Sequence, residues 1–161
     1  MNLYEMRLQP APYAAIESGK KTVELRLYDE KRQKITAGDL IRFTNTQTQE
    51  TFLTKVLAVT RFADFESLYA AFEKTCLGYA PNELANPKDM LAYYSAEDIA
   101  KYGVAAIEIK KADVFDNLQY LEEQYQRDKQ RRLNNTARIL EEVAQTCMDG
   151  EEKESFLKNL K

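Results

Sequence analysis

Short stretches within residues 1–111 alternate between hydrophobic and polar side chains, which is the period of a half-buried β-strand. Gly, Pro and polar turn residues separate these stretches, and no long helix lies between consecutive strands. This order favours a small mixed β-barrel with short helices, of the α+β class, over a parallel α/β sheet. The predicted strands are residues 3–8, 22–27, 40–43, 51–62 and 104–109.

Capping and turn residues predict the short helices between these strands. Pro10 and Pro12 open a helix over residues 13–18, which Gly19 ends, because proline is tolerated in a first helical turn and glycine favours the position after the last one. Asp64 is placed to cap the next helix through its side chain. Two further helical segments are predicted at 88–94 and between Ser95 and Gly103, the second opening with the capping pattern Ser-x-x-Asp.

The pattern changes at residue 112, after which apolar residues recur at intervals of three and four and no Gly or Pro occurs before Gly150. This indicates either one long amphipathic helix or a helical hairpin bent near Asn134 and Asn135. We therefore predict a barrel domain, residues 1–111, and a helical extension, residues 112–161. The extension can pack on the barrel, pair with a second copy or bind another protein. A final short helix is predicted to contain Phe156, Leu157 and Leu160.

The chain has no histidine, which excludes Ser-His-Asp and Cys-His catalysis and every metal site that depends on imidazole. No acidic loop resembles a calcium-binding EF-hand, so we expect neither a metal nor a cofactor. Cys76 and Cys147 form no C-x-x-C pair, and we expect both to be unpaired, buried thiols in a reducing compartment. No apolar run of about 18 residues is present to span a membrane. The N-terminal residues do not resemble a secretory signal, so we expect a cytoplasmic protein without a membrane partner.

Charge is distributed unevenly along the chain. The net charge of −3 argues against a protein that coats nucleic acid without specificity. Residues 20–42 nevertheless hold seven basic and four acidic side chains, a local charge of +3 that leaves −6 for the remainder. A locally basic element on an acidic body suits a single anionic ligand.

Three charged residues in this basic element are placed to share a ligand. Glu24 and Arg26 lie two residues apart on a predicted strand and therefore point to the same face, and Lys21 precedes the strand. Arg26 can make a two-point contact with a phosphate, a carboxylate or a base edge. Glu24 can fix Arg26 or accept hydrogen bonds from a base, and Lys21 adds a positive charge or, if desolvated, a general base. Spacing alone equally permits a solvated surface ion pair.

Aromatic and basic residues nearby extend this candidate site. Tyr28 and Arg32 follow the strand and are predicted to flank a cleft, where stacking of a base on Tyr28 would contribute about 1–3 kcal/mol. Tyr93 and Tyr94 form a second aromatic pair. Ordinary packing is the alternative for each of these side chains.

The run Gly19-x-Lys21-x-x-Glu24-x-Arg26 resembles the signature of the ASCH family. Its position also fits, since it follows a strand and a short helix and precedes the turn Ala37-Gly38-Asp39, and the resemblance covers residues 1–111. The resemblance implies a PUA-like β-barrel, a cleft lined by the signature residues, and RNA, a nucleotide or a modified nucleoside as ligand. We therefore expect an RNA- or nucleotide-binding protein whose ligand residues are Lys21, Glu24, Arg26, Tyr28 and Arg32.

An enzymatic alternative also follows from the resemblance. One branch of the family hydrolyses N4-acetylcytidine through a lysine, a threonine and a glutamate. Lys21 matches that lysine, whereas Glu24 stands at the threonine position, and Ala92 and Tyr93 stand where the glutamate is expected. The alternative is a small hydrolase acting on a modified nucleoside or RNA, with Lys21 and Glu24 as catalytic groups. The signature does not by itself establish an enzyme, and an adaptor that acts only through its helical extension is a third possibility.

Overall fold

A computed structural model describes residues 1–148 and 150–159, which form five strands, five α-helices and two 3₁₀ helices. The strands are β1 (Leu3–Leu8), β2 (Val23–Leu27), β3 (Leu40–Asn45), β4 (Thr51–Phe62) and β5 (Val104–Lys111). The α-helices are α1 (Pro10–Glu17), α2 (Phe65–Ala71), α3 (Ala96–Tyr102), α4 (Val114–Cys147) and α5 (Gly150–Asn159), and the 3₁₀ helices are Arg32–Lys34 and Pro87–Ala92. All five predicted strands are present, and the 3₁₀ helix at Arg32–Lys34 was not predicted.

The five strands form one mixed sheet in the order β1-β3-β4-β5-β2. β1 is parallel to β3, and the other three neighbouring pairs are antiparallel. β4 pairs with both β3 and β5, and a register shift between Val56 and Ala58 marks a bulge, which increases the twist of the sheet. The sheet curls into a half-barrel in which β1 and β2 are the two outer strands.

Two hydrophobic clusters cover opposite faces of β5, because successive side chains of a strand point to opposite sides. The inner cluster contains Ala105, Ile107 and Ile109, and the outer cluster contains Val104 and Ala106. The inner cluster lies against α1. Its other buried members are Met6, Leu8, Tyr13, Ile16, Ile35, Ile41, Phe43, Phe52 and Val56. The outer cluster lies against α2, and its other buried members are Val23, Leu25, Phe65, Leu68 and Leu77.

The predicted helix boundaries are largely confirmed. α1 begins at Pro10 rather than at residue 13, because a first-turn proline needs no intrahelical partner for its missing N–H. Gly19 follows its end with a φ of +76°, as predicted. The side chain of Asp64 accepts a hydrogen bond from the Ser67 N–H at 2.8 Å and caps α2. The segment predicted at 88–94 is the 3₁₀ helix Pro87–Ala92.

The extension contains one uninterrupted helix, α4, so of the two predicted alternatives the long helix is present and the hairpin bent near Asn134 and Asn135 is not. α5 follows it and includes Phe156 and Leu157, while Leu160 lies outside the described residues. Cys147 is exposed and Cys76 is partly buried, so the prediction of two buried thiols was wrong. Several apolar residues of α4 are exposed, and they include Val114, Phe115, Leu118, Leu121 and Tyr125. That α4 pairs with a second copy or binds another protein therefore stays a prediction.

The chain divides into two compact units, Met1–Asn117 and Leu118–Lys161. The first turn of α4 belongs to the first unit, where the carboxylate of Asp116 lies 2.6 Å from Lys55 Nζ and 3.1 Å from Lys110 Nζ. Asp113 and Asp116 also accept hydrogen bonds from each other's backbone N–H, at 2.9 and 3.2 Å, which caps the helix. Within the described part of the chain, no helix is long and apolar enough to cross a membrane.

Candidate functional site

Lys21 is held in place by the segment that precedes β2 and by the loop after α2. The backbone N–H of Lys21 donates to the carbonyl of Ala15, and the next two N–H groups donate to the carbonyl of Cys76. The side chain lies across Gly78, where an added Cβ would come within 3.1 Å of Lys21 Cδ. Its ammonium donates to the Leu77 carbonyl at 3.1 Å. Lys21 is therefore fixed both at its backbone and at its ammonium group.

Glu24 is buried because it faces the inside of the half-barrel. It lies opposite Ile107 in the β2–β5 pairing, and Arg26 lies opposite Ala105, both members of the inner cluster. Only 5% of the Glu24 side chain is exposed, against 17% for Arg26. These side chains are largely shielded from solvent, so the alternative of a solvated surface ion pair is wrong. A carboxylate this buried needs positive charge nearby.

The three signature side chains form one charged cluster. Lys21 Nζ lies 3.5 Å from Glu24 Oε2, and Arg26 Nε lies 2.9 Å from Glu24 Oε1. The second contact has the distance of a hydrogen bond but not its direction, because buried Arg26 Nε has no hydrogen-bond partner within the described structure. It is a contact between charges and not a hydrogen bond. Glu24 therefore contacts both cations, and the three side chains together keep a formal charge of +1.

Arg26 also joins the two outer strands of the sheet. Its Nη2 donates to the carbonyl oxygen of Arg7 on β1 at 3.1 Å. β1 and β2 are not neighbours in the sheet, so this bond crosses the open side of the half-barrel. The guanidinium is consequently fixed at the gap between the strands.

A cavity of about 500 Å³ occupies this gap, and Lys21, Glu24 and Arg26 lie on its wall. Three cations and two carboxylates border it, so its formal charge favours a ligand with one negative charge. The remaining lining residues come from the end of β1, from α1 and the residue before it, from β2, from the turn after β3, from α2 and from the segment between α2 and α3. They are Arg7, Leu8, Gln9, Ala11, Pro12, Ala15, Leu25, Thr46, Tyr69, Leu77, Gly78, Tyr79, Glu83, Met90, Tyr93 and Tyr94.

Four tyrosines give the cavity aromatic walls. The hydroxyls of Tyr69 and Tyr79 share a hydrogen bond of 3.0 Å, and burial together with this bond raises the pKa of Tyr69. Tyr94 stacks on Phe65 with ring centroids 5.7 Å apart. Burial raises the pKa of Tyr94, and the Arg26 guanidinium opposes this rise. Tyr93 also lines the cavity and is 70% exposed, so its ring is accessible for stacking by a ligand.

Tyr28 and Arg32 do not line this cavity. The guanidinium of Arg61 lies over the Tyr28 ring at 5.7 Å, and the ring packs against the inner cluster. Arg32 pairs with Asp29 at 2.8 Å. A ligand role for these two side chains stays a prediction, without support from the cavity.

Several lining residues escaped the sequence analysis. Arg7, Gln9 and Thr46 come from elements far from the signature in the chain, and no local pattern relates them to it. Tyr69 lies on the helix that Asp64 caps, and its polar hydroxyl is a signal that it lines a partly wet space. In the described part of the chain, no group of three or more His, Cys, Asp or Glu side chains is placed to hold a metal ion.

Comparisons with known proteins agree with this architecture. The crystal structure of the hypothetical protein PH0355 is 32% identical, covers 70% of this chain and 100% of its own, and superposes with a TM-score of 0.58. The solution structure of PF0455 from Pyrococcus furiosus is 30% identical, covers 69% of this chain and 98% of its own, and has a TM-score of 0.52. No curated protein matches the chain.

A third structure relates the fold to the predicted family. A point mutant of ZmASCH from Zymomonas mobilis is 17% identical, covers 68% of this chain and 69% of its own, and has a TM-score of 0.50, a likeness of fold alone. It confirms the predicted α+β barrel fold, and the helices predicted after the barrel are present as α4 and α5. The model of the ASCH domain matches residues 6–113, which is more than half of the sequence. The chain therefore belongs to the ASCH domain family.

Proposed function

We propose that this protein binds RNA, or a nucleotide or modified nucleoside related to it, in the cavity between β1 and β2. The observation that carries the proposal is the cluster of Lys21, Glu24 and Arg26 on the cavity wall, two cations held by one buried carboxylate. Membership of the ASCH domain family, which is RNA-binding in general character, supports the choice of ligand class.

The size and lining of the cavity suit one nucleotide. About 500 Å³ lies within the range of roughly 300–1,000 Å³ typical of small-molecule sites. Arg26 retains unused N–H donors for a phosphate or a base edge, and the tyrosines offer aromatic faces to a base. A base extruded from a single strand would enter more readily than one paired in a duplex, because its edge and faces are free.

The hydrolase alternative has one observation in its favour, the 3.5 Å separation of Lys21 Nζ and Glu24 Oε2 inside the cavity. However, Lys21 donates to the Leu77 carbonyl and neighbours a carboxylate, two contacts that its protonated form makes best. A general base must instead lose this proton. The arrangement therefore favours binding over proton removal.

Titration calorimetry with unmodified and modified ribonucleosides, their monophosphates and short single-stranded RNA tests this proposal. Lys21→Ala is compared with Lys20→Ala, which removes the same group from an exposed neighbour outside the cavity. We expect binding by wild type and Lys20→Ala, and at least tenfold weaker binding by Lys21→Ala. If no member of the panel binds wild type, or both variants bind alike, the proposal fails.

Chromatography of the same mixtures after incubation separates binding from catalysis. Intact ligands with every variant are expected for a binding protein. Product formed by wild type and Lys20→Ala but not by Lys21→Ala would replace the binding proposal with the hydrolase.

A further inference from the structure

A second basic feature lies on α4, well along the chain from the cavity residues. Residues 127–138 hold five basic side chains and one acidic side chain, Asp128, for a local charge of +4. Because the net charge of the chain is −3, the other residues together carry −7. The basic residues are Arg127, Lys129, Arg131, Arg132 and Arg138.

Helix geometry gathers part of this charge on one face. Arg127, Arg131, Asn134 and Arg138 recur at intervals of four, three and four, which places them along the same side of α4. At 1.5 Å per residue the row extends over about 16 Å. These four side chains and two amides, Gln130 and Asn135, are exposed and border one shallow depression; together the six are called the basic face.

The stability of the helix does not explain this charge. Arg127 pairs with Glu123 at 3.5 Å and Arg138 with Glu142 at 3.1 Å, but such exposed pairs contribute little and exchange readily. Arg131 and Arg132 have no ion pair in the described part of the chain. A helix stabilised by its own ion pairs would hold similar numbers of acids and bases over residues 127–138.

We propose that the basic face binds the phosphate backbone of an RNA strand. The basic residues of this face are Arg127, Arg131 and Arg138, whose planar fork of donors matches phosphate oxygens, and the intervening amides are further donors to phosphate. No aromatic residue lies within 127–138 to stack a base, so we expect binding through the phosphates to be independent of sequence. The choice of RNA as the polyanion rests on the proposed function, whereas the charge argument does not.

The segment is a poor fit for a protein or a membrane surface. The centre of a protein interface is apolar and rich in aromatic residues, and a membrane-surface helix needs a continuous apolar side. Residues 127–138 offer only Leu133 and Ala137. The polar, hydrated backbone of RNA, with its regularly spaced phosphates, requires neither an apolar centre nor a continuous apolar side.

Fluorescence anisotropy of the full chain with a labelled 20-nucleotide uridine RNA, measured from 20 to 200 mM salt, tests this proposal. The variant Arg131→Gln/Arg138→Gln removes two charges of the basic face while keeping side chains of similar helix propensity, which circular dichroism verifies. Lys153→Gln/Lys158→Gln removes two charges from α5 as the matched control. Arg131→Lys/Arg138→Lys keeps the charge but removes the fork.

Each single-strand phosphate contact contributes about −0.7 to the slope of log K against log salt. We expect a wild-type slope of roughly −2 to −3, reduced by about 1.4 in Arg131→Gln/Arg138→Gln for two lost contacts. Its affinity should fall at least tenfold at low salt, the lysine variant should lie between, and the control should remain within twofold of wild type. Equal loss in the control, no loss in the arginine variant, or competition by oligoglutamate as strong as by unlabelled RNA would overturn the proposal.

Mononucleotide binding distinguishes this proposal from the one for the cavity. A single nucleotide tests only the cavity, so its affinity should be unchanged in Arg131→Gln/Arg138→Gln and reduced in Lys21→Ala. RNA binding that depends on Lys21 but not on the arginines overturns the basic face and leaves the cavity proposal standing. RNA binding that depends on the arginines, without any binding of a mononucleotide, overturns the cavity proposal and leaves the basic face standing.

Discussion

Arg26 Nη2 donates a hydrogen bond of 3.1 Å to the carbonyl oxygen of Arg7, which joins the two outer strands across the open side of the half-barrel. The same guanidinium lies 2.9 Å from the buried Glu24 carboxylate. Arg26 therefore has both a structural contact and a position on the cavity wall. Its planar shape matters for both, because an ammonium at the same place reaches fewer acceptors at fixed angles.

Replacing Arg26 by lysine should separate charge from shape. Arg26→Lys keeps the positive charge beside Glu24, but we expect ligand affinity in the cavity to fall at least tenfold because the two-point contact is lost. Titration calorimetry measures the change, and thermal unfolding reports the loss of the bond to Arg7. The control is Arg61→Lys, since Arg61 donates to the Tyr102 carbonyl on the surface away from the cavity. Equal affinities for both variants would show that charge alone is required.

Gly78 supports the position of Lys21, and an alanine there should displace it. The φ of +103° is unfavourable for any side chain, and the new Cβ would lie 3.1 Å from Lys21 Cδ. Gly38→Ala is the matched control, because its φ of +90° carries the same backbone cost while nothing lies within 4 Å. Both variants should lose about 1–2 kcal/mol of unfolding free energy in urea titrations. Only Gly78→Ala should also weaken ligand binding, and a similar effect of Gly38→Ala would contradict this.

Tyr93 tests the aromatic wall of the cavity. Its side chain is 70% exposed, so Tyr93→Ala should leave the melting temperature within a degree or two of wild type. If a base stacks on the ring, the substitution should cost about 1–3 kcal/mol of binding free energy. Tyr93→Phe keeps the ring and should bind normally. Loss of affinity in the phenylalanine variant would indicate that the hydroxyl, not the aromatic face, contacts the ligand.

Asp116 controls how the first turn of α4 is held against the barrel. Burial raises the pKa of Asp116, but hydrogen bonds from Lys55, the Asp113 backbone and Lys110 outweigh it and lower the pKa to about 2. Because the folded pKa lies below the ordinary 3.8, the carboxylate stabilises the fold above about pH 4 and this contribution is lost as pH falls toward 2. Asp116→Asn should therefore cost about 1–3 kcal/mol at pH 7.

Urea unfolding at pH 7, 4 and 2.5 measures this effect. The difference between wild type and Asp116→Asn should shrink as the pH is lowered. Asp128→Asn, an exposed change on the same helix, should match wild type throughout. A constant difference at all three pH values would mean that Asp116 acts through the shape of its side chain and not through its charge.

Local chemistry explains why the strands and helix ends were predictable. Gly19 ends α1 at a positive φ, and Asp64 caps α2, because each feature depends on one or two neighbouring residues. Periodicity leaves open whether α4 is one uninterrupted helix or a bent hairpin. Two asparagines interrupt a helix only when tertiary contacts stabilise the bend.

The cavity depended on contacts that no local pattern contains. Alternation placed Glu24 and Arg26 on one face of β2 but did not show that this face belongs to the inside of the sheet. Alternation also did not show that Arg7 lies close to Arg26, because the two residues meet only where the outer strands β1 and β2 of the curled sheet approach each other. Tyr28 and Arg32 show the reverse case, since proximity in sequence did not bring them to the cavity wall.

A crystal structure of the full chain bound to the tightest ligand of the nucleotide and RNA panel tests the central claim most directly. We predict that the ligand occupies the cavity between β1 and β2, with a phosphate or base edge within about 3.2 Å of the Arg26 guanidinium. A base should lie against at least one of the cavity tyrosines. A ligand bound elsewhere, with Lys21, Glu24 and Arg26 untouched, would contradict the assignment of this cavity as the binding site.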